Sequence, residues 1–151
     1  MGFIRRTVLT SVGTVFCAHL FIHIFVVKWY QFGKFEFDGG ITMNEQVEKY
    51  LEKYPVEVID MFQSLRRLIY DSISADLTET LWANLPSYYV GESFVRLVPF
   101  KDHINIEARA VILHRDELAG YKITPKGMVQ IFIKQEVPYD VLKRVFTETL
   151  L

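Results

Sequence analysis

A change of hydrophobic period near residue 79 constrains this chain more than any other feature. Before it, Val58, Met61, Phe62, Leu65, Leu68, Ile69 and Ile73 recur at steps of three and four. That spacing lines one face of an α-helix running from about Val56 to Ser74. Glu57, Asp60, Arg66, Arg67 and Asp71 are left for its polar side. From Glu79 onward no helical stripe survives. "ETLWANLPSYYV" reads as a short strand, a turn near Pro86 and a second extended piece. Gly91-Glu92-Ser93 then turns the chain into "FVRLVPF", and Lys101-Asp102 turns it into "HINIEA". Connections this short join antiparallel strands, because a parallel pair needs a crossover of a dozen residues or more. In "HINIE" the alternation sets Ile104 and Ile106 on one face and His103, Asn105 and Glu107 on the other.

The flanking segments complete the pattern. Thr42 and Glu45 form a T-x-x-E capping signature before a helix reaching about Tyr54, with Asn44 as the alternative cap. Val47, Tyr50 and Leu51 make its apolar stripe, and Pro55 closes it and opens the next helix. A helix is expected over Ala108 to Ala119, ended by Gly120. "YKITPKG" is a connector, "MVQIFIK" a strand with Val129, Ile131 and Ile133 on one face, and Pro138 begins a last helix striped by Val141, Leu142, Val145 and Phe146. The order of helix, helix, strands, helix, strand, helix predicts an α+β domain whose helices pack on a mainly antiparallel sheet.

Two parts of the 151-residue chain differ in character. Residues 1–42 hold four basic and two acidic side chains, and the remainder thirteen and sixteen. The mildly acidic larger part gives no electrostatic reason to expect nucleic acid. Cys17 is the single cysteine, so residues 43–151 can hold neither a disulfide nor a cysteine zinc site, which suits a reducing cytoplasm. Val8 to Val27 has no Asp, Glu, Lys or Arg and is long enough as a helix to span a bilayer. Arg5 and Arg6 before it and Lys28 and Lys34 after it leave the orientation undecided. His19 and His23 share a helix face there, a spacing that suits a metal or haem but carries no weight if the segment is not made.

Between the two parts lies Gly39-Gly40-Ile41-Thr42-Met43, which can be spelled GGAGGAATAACCATG, a ribosome-binding sequence, a spacer and a start codon. One reading therefore starts the working protein at Met43 and makes it cytoplasmic. The other makes the Gly-Gly pair a flexible linker between a membrane anchor at 8–27 and the domain at 43–151.

"LWANLPSYYVGESFVRLVPFKDHINIEA" (Leu81 to Ala108) and "LAGYKITPKGMVQIFIKQEVPYDVLKRVF" (Leu118 to Phe146) resemble the YdhG-like family of small bacterial domains. The most specific parts are the aromatic and Leu-Pro segment at Trp82 to Tyr89, the strand pair, and the connector from Gly120 to Gly127. The resemblance spans most of residues 44–151 and so favours Met43 as the start. It implies a compact α+β fold. It also implies, from members described as frataxin-like iron chaperones, an intracellular iron-binding role with iron–sulfur or haem assembly proteins as partners. Iron binding in that family is attributed to surface carboxylates without a fixed motif, so the resemblance assigns no individual ligand.

Three sets of side chains are candidates for a site. Glu45, Glu48 and Glu52 share a helix face, and hard oxygen ligands suit a weakly held Fe(II). With Lys49 and Lys53 interleaved, the same pattern describes a solvated helix face. His103 and Glu107 offer an imidazole and a carboxylate on one strand face, which His114 would complete as a two-His, one-carboxylate set. Ordinary polarity of a solvent-facing strand explains them equally. Trp82, Tyr88, Tyr89, Phe94, Phe100 and Tyr121 are candidates to line an aromatic groove, with Arg96 and Lys101 to meet an anionic ligand. Against that stands the usual place of aromatics in a core. The chain has no P-loop, G-x-G-x-x-G, H-E-x-x-H or G-x-S-x-G, which points to a non-enzymatic domain.

Overall fold

A computed structural model describes residues 43–151. The segment 8–27, His19, His23, Cys17 and the Gly-Gly pair lie outside the described residues. Helix α1 (Glu45–Leu51) is short, and Asn44 caps it by accepting the backbone N–H of Gln46 at 2.9 Å. Thr42, the other expected cap, is not among the described residues. Helix α2 (Val56–Ser72) starts directly after Pro55 and buries Val58, Met61, Phe62, Leu65 and Ile69 of the predicted stripe, while Leu68 is half-buried and Ile73 lies just past its end. Arg66, expected on its polar side, is buried as well.

Six strands follow: β1 (Thr78–Trp82), β2 (Leu85–Val90), β3 (Ser93–Pro99), β4 (His103–Glu107), β5 (Lys122–Ile123) and β6 (Val129–Phe132). They form one sheet in the order β1-β2-β3-β4-β6-β5, and every neighbouring pair is antiparallel. Helix α3 (Tyr139–Leu150) ends the chain. The domain is thus α+β, as the period change predicts.

Besides the short strand β5 inside the expected connector and the end of α1 at Leu51 before Tyr54, two larger details depart from the sequence reading. The first hairpin turns at Ala83 and Asn84, not at Pro86, which sits inside β2 opposite Leu81. Both turn residues have positive φ, 48° and 61°, as a two-residue type I′ loop requires. Ala83 lacks the side-chain hydrogen bonding that eases this conformation in Asn or the freedom of Gly. The second departure is at 108–119. Only Arg109–Ile112 is helical there, as a 3₁₀ segment, and turns follow to Gly120. The segment is tied to α3 instead. Thr149 Oγ1 accepts the backbone N–H of Ala110, Arg109 donates to the carbonyl of Glu148, and His114 reaches the Glu148 carboxylate at 3.0 Å.

Alternate strand residues supply one core. Tyr88, Val95, Leu97, Ile104, Ile106, Val129 and Ile131 are fully buried with Phe62, Leu65, Ile69, Leu142, Val145 and Phe146 of the helices. Each such side chain, withdrawn from water, stabilises the fold by about 1.5–3 kcal/mol. Among the hydrocarbon sits one ion pair. Glu79 of β1 receives Arg66 of α2 through both carboxylate oxygens, at 2.7 and 2.9 Å. It also accepts the backbone N–H of Asn44 at 3.0 Å, and so joins strand, long helix and helix cap. The remaining strand residues form the opposite face of the sheet.

Candidate functional site

Antiparallel register puts paired residues on the same face. Opposite the core therefore lie Trp82 with Leu85, Ser87 with Arg96, Arg96 with Glu107, Val98 with Asn105, and Asn105 with Gln130. Two features are built on this open face.

The first is centred on Arg96, which is 7% exposed although it lies on the face away from the helices. Its guanidinium is 4.5 Å from the ring centres of both Trp82 and Phe94, a stacked cation between two aromatic faces. Nε donates to Ser87 Oγ at 2.9 Å, while the Ser87 hydroxyl donates to the Leu85 carbonyl at 3.0 Å. One terminal nitrogen donates to Glu107 at 2.6 Å. Arg96 is thus the centre of a closed cluster, its charge already met by Glu107. An anion entering here would have to displace that carboxylate.

The second feature is a groove of about 450 Å³ beside this cluster, lined by Leu85, Val98, Phe100, Asn105, Thr124, Pro125, Lys126 and Met128. Its outer wall comes from the connector. Thr124 and Met128 close a tight loop by Thr124 N–H to Met128 carbonyl at 2.8 Å and Met128 N–H to Thr124 Oγ1 at 3.1 Å. Gly127 sits in that loop at φ +80°, with the Ile112 side chain 3.3 Å from where a Cβ would stand. The angle favours glycine, and a Cβ there would press on the tip of the Ile112 side chain. The loop carries exposed Pro125 and Lys126 to the rim.

Along the strand, a polar chain leads away from the groove. His103 Nδ1 is 2.7 Å from Asp102 Oδ1, and Gln130 Nε2 is 3.3 Å from His103 Nε2 and 2.8 Å from Asn105 Oδ1. The His103 ring is stacked on Phe100 at 4.6 Å and 7°, and Phe132 covers it at 4.9 Å.

The residues singled out from sequence separate accordingly. Trp82, Tyr89, Phe94 and Phe100 share the open face or its edge, with Tyr89 and Phe94 in ring contact at 5.8 Å. Tyr88 does not share it. Strand parity turns it into the core, edge-on to Tyr70 at 6.2 Å, and burial pushes its hydroxyl pKa well above the ordinary value. Tyr121 donates its hydroxyl to the Glu136 carbonyl at 2.7 Å and lines no part of the groove. Lys101 is exposed in the turn before β4.

Glu45, Glu48 and Glu52 are exposed on and just beyond α1. His103 and Glu107 lie at opposite ends of β4, about 13 Å apart along the strand. His114 is engaged elsewhere, between Glu117 at 2.8 Å and Glu148 at 3.0 Å, and both bonds hold its pKa above the ordinary value. Among the described residues no three His, Cys, Asp or Glu side chains converge to hold a metal ion. No helix among them is long and apolar enough to cross a membrane.

Sequence reasoning missed Gln130, Thr124, Lys126 and Met128. A polar Gln between Val129 and Ile131 was a visible signal. Its pairing with Asn105 was not, since that depends on β4 and β6 being neighbours.

No protein-family profile and no curated protein matches the chain. Among solved structures it is similar to the crystal structure of YdhG from Bacillus subtilis, a protein of the DUF1801 family, with a TM-score of 0.56 and 18% identity. The match covers 66% of this chain and 83% of the other. The chain therefore has a YdhG-like fold.

Proposed function

We propose that this domain is a binding module that holds a small ligand with a flat apolar body and an anionic group on the open face of its sheet. The observation that carries the proposal is the groove between Val98, Phe100 and Met128, with Lys126 on its rim and Asn105 among its lining. Apolar walls with a few placed polar groups are the usual make-up of a small-molecule site. Arg96 takes a supporting part, holding Trp82 and Phe94 in place beside the groove. Binding without catalysis fits the lack of any catalytic motif in the sequence, and a cytoplasmic setting fits the lack of cysteine after residue 42.

Naphthalenesulfonate, a flat apolar anion, is the probe for a fluorescence titration of the full chain. Saturable binding is expected, weakened about tenfold by Lys126→Glu and by Phe100→Ala, and unchanged by Glu48→Gln with Glu52→Gln. Binding indifferent to the groove substitutions would overturn the reading. The family resemblance supplies the competing reading, weak Fe(II) binding by the exposed carboxylates of α1. An anaerobic Fe(II) titration with Mg(II) as control decides it. Saturable binding that Mg(II) does not reproduce, and that is lost with Glu48 and Glu52, would move the function to metal handling.

A further inference from the structure

We infer that Asn105 is the specificity-determining residue of this groove, and that the chain Asp102–His103–Gln130 fixes its amide so that N–H donors face the ligand. The site would then select flat anions bearing a carbonyl-type acceptor over those bearing a donor. The inference rests on the groove reading above.

The direction of the chain follows from what each group can do. An ionised carboxylate only accepts, so the 2.7 Å contact with Asp102 places a proton on His103 Nδ1. In the neutral ring the other nitrogen is then an acceptor. With the ring neutral, the Gln130 atom facing His103 Nε2 is its amide nitrogen, and that same nitrogen donates to Asn105 Oδ1 at 2.8 Å. Both Gln130 N–H groups are used, and its carbonyl oxygen, buried, accepts no hydrogen bond among the described residues. A buried amide oxygen without a donor is unfavourable. The opposite orientation of Gln130 would satisfy that oxygen from Asn105, but it would set an amide donor away from His103 and leave the ring nitrogen lone pair facing the oxygen. The stacking of His103 on Phe100 and the cover from Phe132 keep the ring from turning out of this arrangement.

Asn105 is consequently left with one consistent orientation. Its Oδ1 accepts from Gln130 at 2.8 Å, which leaves Nδ2 as its donor group. The residue is 8% exposed and is among those lining the groove. An amide held by its neighbours in this way selects by hydrogen-bond sense, since a ligand donor placed against it leaves two donors facing each other.

The test compares two probes on the full chain, acetylnaphthalenesulfonate and aminonaphthalenesulfonate, which share the ring and the anion. A preference of about threefold to tenfold for the acetyl probe is expected, the range of one neutral hydrogen bond. Asn105→Asp keeps the bond from Gln130 and replaces the donor by an acceptor, so the preference should reverse. The ratio is insulated from the added charge because both probes carry the same sulfonate. His103→Phe retains the ring stack but removes the nitrogen that orients Gln130, and the ratio should fall towards one while binding persists. Groove binding of both probes with a wild-type ratio near one would overturn this inference and leave the groove reading standing. If neither probe binds, both fall. One readout needs no ligand: nitrogen NMR of His103 at about pH 8, above the ordinary imidazole range, should show the proton on Nδ1. A proton on Nε2 would overturn the inference by itself.

Discussion

The two faces of the sheet are made by the same strands and yet hold their polar groups in different ways. On the covered face the Arg66–Glu79 pair lies within the core and bridges three elements. On the open face the Arg96–Glu107 pair bridges two adjacent strands beneath aromatic rings, and its carboxylate side chain keeps 31% exposure. An Arg–Glu pair is thus not one quantity of stability. Its worth depends on how far each member is withdrawn from water: both side chains of Arg66–Glu79 are nearly buried, at 11% and 5% exposure, whereas in Arg96–Glu107 the arginine is equally buried, at 8%, and only the glutamate meets water.

The largest effect should break the covered face. Glu79→Ala is expected to cost about 3–5 kcal/mol, because Arg66 is left charged in a buried position, and a urea melt of the full chain measures it. Glu107→Ala, the matched change on the open face, should cost less, about 1–3 kcal/mol, because Arg96, although buried, keeps its bond to Ser87 and its two rings and the vacated carboxylate position is open to water. Equal costs would dissolve the contrast between the faces. Next comes Arg96→Ala, expected to lower stability by about 1–3 kcal/mol. A double-mutant cycle with Trp82→Ala should then return a coupling of about 0.5–1 kcal/mol for the stacked cation. Smaller and of opposite sign is Ala83→Gly, which relieves a left-handed alanine in the first hairpin and should raise stability by up to about 1 kcal/mol. An unchanged midpoint would show that the turn holds no such strain.

The last prediction concerns the tie between the loop after the 3₁₀ segment and α3. The hydrogen bonds that His114 makes to the carboxylates of Glu117 and Glu148 raise its pKa above the ordinary 6.5. A raised folded-state pKa contributes stability that is fully present below the unfolded value and is lost as pH rises through the folded one. Glu117, lowered by its bond to His114 and by Arg144, contributes in the opposite sense, with stability present above its ordinary 4.5 and lost as pH falls. Wild-type urea midpoints should therefore decline from about pH 6 to about pH 8 by more than those of His114→Gln. Parallel profiles would remove His114 from the account.

Legibility followed the range of the interactions. The α2 stripe, the alternation in "HINIE", the Gly91 turn and the proline before α3 are local, and each appears where the sequence placed it. Residues 108–119 departed from the local reading: only Arg109–Ile112 is helical, and the segment is tied to the last helix, about thirty residues further on, by bonds that no local pattern announces. Tyr88 was separable from Tyr89 by strand parity alone. Arg66 was not separable from Arg67, because the approach of Glu79 from β1, which makes burial of that charge tolerable, is not visible in the sequence.

By itself the sequence determined the class of the fold. Hydrophobic period decides helix or strand, and connection length decides antiparallel pairing, both within a few residues of chain. Tertiary structure alone decided the candidate site. Bringing β6 beside β4 sets Gln130 against Asn105, and folding the 124–128 loop over Val98 makes a groove from segments more than twenty residues apart. Hydrogen-bond sense, burial and charge compensation are properties of neighbours in space, and for Arg66, Arg96 and Asn105 those neighbours exist only once the sheet has closed.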